Sequence, residues 1–156
     1  MLQCISNRSS ILFMMQFIKA FLVALVCSVA GNLIILFILR PFVIDPAMPL
    51  HALSVGLITP FTIAGVIGAT IVYALLRYFF PQPNTIFLWI SGAVLLASFI
   101  PDYQIIGVTE GMFAGGTWPT ALTLALMHVV AAVIIVWSLT QLWGSRAQNA
   151  EITKTV

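Results

Sequence analysis

The sequence predicts an all-α membrane protein, a bundle of four antiparallel transmembrane helices with both termini cytoplasmic, and three observations carry that prediction. Hydrophobic residues make up 62% of the chain and charged residues 6%, whereas a soluble globular domain has about 45–50% and about 25%. Four apolar stretches of helix length divide the 156 residues, and at roughly 20 residues per bilayer crossing they and their links use nearly the whole chain. Lys and Arg, finally, fall almost entirely on one side of the implied membrane, which sets the orientation.

Residues 1–18 are mixed in character, carry Arg8 and several Met, and read as a cytoplasmic N-terminal tail. The single transmembrane domain follows over 19–143. Its first span, 20–39, is bracketed by Lys19 and Arg40. Ser28-Val29-Ala30 has the small residues of a signal-peptide cleavage site, but the apolar run continues well past it, so the segment is expected to be a retained span. Arg40 to Met48 reads as a loop containing Pro41, Asp45 and Pro46, and Pro49 suits the first turn of a helix.

The second span is expected over 49–78, longer than a bilayer requires, with tilt or a kink at Pro60. Ala64, Gly65, Gly68 and Ala69 form a small-residue face that is expected at a helix contact. Pro81 and Pro83 mark a short link to the third span, 85–100, which is expected to stop at Pro101 because the residue before proline is biased away from helix. The longest connection, 101–118, carries Asp102, Glu110 and four glycines. The fourth span, 119–143, holds His128, and residues 144–156 form a polar C-terminal tail.

The positive-inside count gives Arg8, Lys19, Arg77, Arg146 and Lys154 to one side and Arg40 to the other, hence termini in the cytoplasm. Tyr78, Trp89, Trp137 and Trp143 fall where an inner aromatic belt sits. The setting this implies is a membrane crossed several times, with the lipid bilayer as the first partner. A net charge of +2 from scattered single charges offers no basic patch for nucleic acid.

Depth along the helices places the candidate chemistry. Asn32 on the first span and His128 on the fourth both lie on the order of 12 Å beneath the outer boundary at 1.5 Å per residue. Ser91 on the third span and Thr59 or Thr62 on the second come out at similar depth. An ionisable residue in hydrocarbon is costly unless it faces the bundle interior or a wet cavity. His128 also shares a 4-3-4 helix face with Ala121, Ala125 and Ala132, which turns it inward. Two accounts follow: Asn32, Ser91 and His128 hydrogen-bond across helices as packing glue, or they line a pocket that takes a small ligand or a proton.

Other chemistries find less support. Asp45, His51, Asp102 and Glu110, with Arg40, form an outer rim whose residue types suit a divalent cation but whose spacing matches no ligand pattern, so no metal is expected. His51 and His128 differ in depth by roughly 10 Å, which argues against a haem between them and leaves no cofactor expected. No nucleophile elbow, metalloprotease motif or phosphate loop is present, and the carboxylates are expected to lie too far above His128 to orient it, so an enzyme is not indicated.

Pro101-Asp102 at the end of the third span and Leu126-Met127-His128-Val129-Val130-Ala131-Ala132 within the fourth resemble a family of small bacterial four-helix membrane proteins known as a domain of unknown function. The resemblance covers about 42–143. It implies a four-helix protein of the bacterial plasma membrane and carries no activity, ligand or cofactor with it. Two function classes therefore stand: a binding or transport module around the His128 layer, and a non-catalytic accessory protein that assembles with itself or a larger membrane complex through Gly/Ala helix faces.

Overall fold

The computed structural model describes residues 2–43, 53–111 and 114–144. Four helices make up the fold: α1 (Leu2–Val43), α2 (Val55–Phe79), α3 (Pro83–Gln104) and α4 (Trp118–Trp137), the last continuing as a π-helical segment, Ser138–Gly144. There is no strand among the described residues. All four helices contain a stretch long and apolar enough to cross a membrane, over Met14–Val43, Val55–Phe79, Pro83–Gln104 and Trp118–Trp143. Such chains form helices because hydrocarbon offers no partner for backbone N–H and C=O groups, which must be satisfied within the segment.

Three boundaries differ from the sequence expectation in ways that matter. Helix α1 already begins at Leu2 and runs through Pro41 to Val43, so the N-terminal segment is helical and Arg40 and Pro41 belong to the helix rather than a loop. Helix α3 does not stop at Pro101 but continues to Gln104, with Pro101 inside its last turn. A proline there removes one backbone donor near a helix end, where the ladder is already incomplete. The helix closes with the Ile105 amide donating to the Pro101 carbonyl at 3.2 Å. Asp102 consequently projects from a helix, one turn beyond Ser98.

Helix α1 is the spine. Ala20, Ala24, Ser28, Asn32 and Leu36 recur every four residues and are all buried, a continuous ridge along one face. Its most extensive packing is against α4, and α4 also packs on α3 while α2 leans mainly on α1. Gly31 sits in the α1–α4 contact, where an added Cβ would meet Val130 and Ile134 side chains at 3.4 and 3.5 Å.

At one end of the bundle the four helices meet through large side chains. Trp143 is stacked edge-on by Phe17 at 4.8 Å and by Tyr73 at 5.3 Å, and Tyr73 lies 4.9 Å from Phe87. The Tyr73 hydroxyl donates to Asn84 Oδ1 at 2.5 Å, and Arg77 donates to the Trp143 carbonyl at 2.8 Å with its guanidinium over the indole. Trp143 is thus a core residue, 3% exposed, whereas Tyr78, Trp89 and Trp137 lie on the surface. At the other end, the α3–α4 link folds back on itself. Gly107 donates to the Gly116 carbonyl at 3.0 Å and Gly115 to Val108 at 2.9 Å. Gly107, Gly111 and Gly115 hold φ of 80–82°, the left-handed region that glycine enters without steric cost. A Cβ on Gly116 would fall 2.2 Å from the Ile105 carbonyl oxygen, so only glycine fits.

Candidate functional site

Between these ends lies a cavity of about 660 Å³ to which all four helices contribute. Each wall follows a helical face. On α3 the residues Phe87, Ser91, Leu95, Ser98 and Asp102 succeed one another at spacings of three and four, with Val94 beside them. On α2 the wall is Ile58, Phe61, Thr62, Gly65, Gly68, Ala69 and Val72, on α4 it includes Leu124, Met127, His128, Ala131 and Ala132, and α1 adds Asn32. Gly65, Gly68 and Ala69 of the small-residue face of α2 border the cavity. An added Cβ on either Gly65 or Gly68 would meet nothing within 4 Å. Phe61, Gly65, Gly68 and Val94 are exposed as well as cavity-lining, so the cavity opens sideways along the flanks of α2 and α3.

The polar groups gather toward the Asp102 end. His128 Nδ1 lies 2.8 Å from the Leu124 carbonyl; since a carbonyl only accepts, Nδ1 carries the hydrogen and Nε2 the lone pair in the neutral ring. Asp102 Oδ2 approaches the same nitrogen at 3.4 Å across the α3–α4 interface. The carboxylate is buried, at 8% side-chain exposure, while the imidazole is 41% exposed. Of the carboxylates expected to lie too far above His128 to orient it, Asp102 is thus in contact with the ring. Asp102 stays on α3 because the helix runs on past Pro101, and there it is buried and borders the cavity beside His128.

Asn32 is fixed by a chain of donors. The Thr62 hydroxyl donates to the Ile58 carbonyl at 2.7 Å, so its oxygen must accept from Asn32, whose Nδ2 stands 2.9 Å away. That orients the amide and leaves Asn32 Oδ1 buried with no hydrogen-bond partner among the described residues, as is Asp102 Oδ2. Ser98 is tied to its own helix, donating to Leu95 at 2.7 Å.

Of the residues singled out from sequence, Asn32, Thr62, Ser91 and His128 border one cavity. Thr59 does not; it is half-buried beside it with an unpartnered hydroxyl. Arg40 and Glu110 are exposed, and Asp45 and His51 lie outside the described residues. Ser98 and Asp102 were missed as cavity residues, although Ser91, Leu95, Ser98 and Asp102 show the same 4-3-4 spacing that turned His128 inward. Among the described residues no group of three or more His, Cys, Asp or Glu comes together as a metal site.

Four helices long and apolar enough to cross a membrane, around a largely apolar cavity with a few convergent polar groups, point to a helical membrane protein. The comparison with family models places the chain more narrowly. Residues 14–144 match the model described as "Family of unknown function (DUF6069)", and the chain belongs to that family. The match takes in the first span as well as the 42–143 over which the motifs resemble it. No curated protein and no solved structure matches the chain.

Proposed function

We propose that this protein is a binding or transport module of the bacterial inner membrane that takes a small molecule with an apolar body and a polar head into the cavity between its helices. The observation that carries the reading is the placement of Asp102, His128 and Asn32 at one end of a mainly apolar cavity. Polar groups buried in a membrane bundle are costly and mark ligand or ion sites, and cavities of this size, largely apolar with a few placed polar groups, are characteristic of small-molecule sites. The lateral opening past Gly65, Gly68 and Val94 supports entry from the bilayer. The helices alternate in direction, as supported by Phe17, Tyr73, Phe87 and Trp143 meeting at one end while Asn32, Thr62, Asp102 and His128 gather toward the other. With both termini in the cytoplasm, the polar layer lies in the outer half of the membrane, as the distribution of Lys and Arg supports.

A second reading rests on the same opening: a helix of a partner, or of a second copy, packs against the Gly65–Gly68 face and fills the gap. Native mass spectrometry of the chain released from detergent separates the two. The binding module predicts a monomer that retains a small-molecule adduct, lost in His128→Ala with the helical spectrum unchanged. An obligate oligomer without an adduct, insensitive to His128→Ala, overturns it in favour of assembly.

A further inference from the structure

Resting on the reading of the cavity as a small-molecule site, we infer that its ligand is a lipophilic amine, bound as the cation with its ammonium group at Asp102 and Asn32. The argument is a count of donors and acceptors at the polar end. Most of the donors placed there are spent on an acceptor of the protein itself: Thr62 on Ile58, Ser98 on Leu95, His128 Nδ1 on Leu124, and one of the two Asn32 amide hydrogens on Thr62. The buried lining atoms left without a hydrogen-bond partner among the described residues are both acceptors. Asn32 Oδ1 and Asp102 Oδ2 are buried without a hydrogen-bond partner, on residues 5% and 6% exposed, and His128 Nε2 offers a lone pair once Nδ1 holds the hydrogen.

Charge points the same way. Among the described residues no Lys or Arg lines the cavity, and the ionisable partner of the Asp102 carboxylate there is the edge of an imidazole at 3.4 Å. A buried unpaired acceptor costs desolvation without return, and a buried carboxylate more so. A ligand that brings N–H donors and a positive charge removes both costs. A carboxylate or phosphate head would instead add like charge and further acceptors. An alcohol supplies a single donor and no charge. The remainder of the cavity, walled by Leu57, Phe61, Val94, Leu95 and Ile135, accommodates an aryl or alkyl body, and the sideways opening suits a molecule that partitions into lipid.

The test uses three probes with the same ring and linker and different heads: 2-phenylethylamine, 2-phenylethanol and phenylacetate. Each is titrated into the isotope-labelled chain in lipid nanodiscs, reading the Asn32 side-chain amide and the His128 ring by NMR. The amine is expected to shift both resonances saturably and at least tenfold more tightly than the alcohol, with no saturable shift from phenylacetate. In Asp102→Asn, which keeps the shape and removes the charge, amine and alcohol should become equal. The wild-type ratio of amine to alcohol is decisive even if that variant fails to fold. Binding of the alcohol as tight as the amine, or binding of phenylacetate, overturns the cationic assignment while leaving the cavity a ligand site. Saturation by none of the three overturns both.

Discussion

At the Trp143 end the four helices present Phe17, Tyr73, Phe87 and Trp143 to one another, and rings in contact fill the space between them. Toward the Asp102 end the same helices present Asn32, Gly65, Gly68, Ser91 and Ser98, and a cavity of about 660 Å³ takes its place. The change can be read along single faces. On α3 the inward face passes from Phe87 to Ser91, Ser98 and Asp102; on α2 the face that borders the cavity carries Ala69, Gly68 and Gly65. Helices that keep their course while side-chain volume falls must leave a gap, because apolar packing between membrane helices depends on contact and not on expulsion of water. The packed end anchors the bundle, and the open end is free to host something else.

The largest effect should come from emptying the packed end. Phe87→Ala removes a ring that is 1% exposed and in contact with Tyr73, and is expected to cost ~3 kcal/mol, read by reversible unfolding in mixed micelles. A loss below about 1 kcal/mol would mean that this end is no better packed than the other. Tyr73→Phe keeps the ring and deletes the hydroxyl that bonds Asn84 across the α2–α3 link. The same measurement should show a loss of about 1 kcal/mol, with ligand response at the far end unchanged.

A smaller effect is expected at the open end. Thr62→Val preserves shape and removes the acceptor for Asn32 Nδ2, which in a membrane bundle is worth about 0.6 kcal/mol. If the polar layer were mainly packing glue, this substitution would cost as much as Tyr73→Phe and leave small-molecule binding untouched. A site, by contrast, predicts a small stability change accompanied by weakened binding, because Asn32 is then free to rotate its orphaned carbonyl oxygen.

The sequence made the spans legible because apolar length is a direct physical requirement of a bilayer, and counting helical rise grouped Asn32, Thr62, Ser91 and His128, which border one cavity. Asp102 was not, for a specific reason. Proline was read as a stop, whereas Pro101 occupies the last turn of α3, where losing one N–H matters little. Depth counted from the wrong boundary then set Asp102 above the membrane and apart from His128. The face of Gly65 and Gly68 misled differently: small residues permit close approach but do not compel it, and whether a neighbour comes is decided by the large residues elsewhere on both helices. In α2 and α3 those are Tyr73 and Phe87, which join the helices at one end.

That last point yields the sharpest way to test the contrast, through a substitution whose stability effect should be close to zero. An added Cβ on Gly68 meets nothing within 4 Å, and the residue borders the cavity, so Gly68→Leu places its side chain in the gap without displacing a neighbour. Unfolding should show no loss, and at most a gain of ~1 kcal/mol from the replaced helix-interior glycine. Binding in the cavity should disappear, since the new side chain occupies the space of the ligand's apolar body. A destabilisation of roughly 2 kcal/mol or more, typical of overpacking in a filled core, would show that the open end is closed in the membrane. Unchanged stability with a change of molecular mass from oligomer to monomer would instead assign the Gly68 face to a partner helix, and the cavity would then be half of an interface.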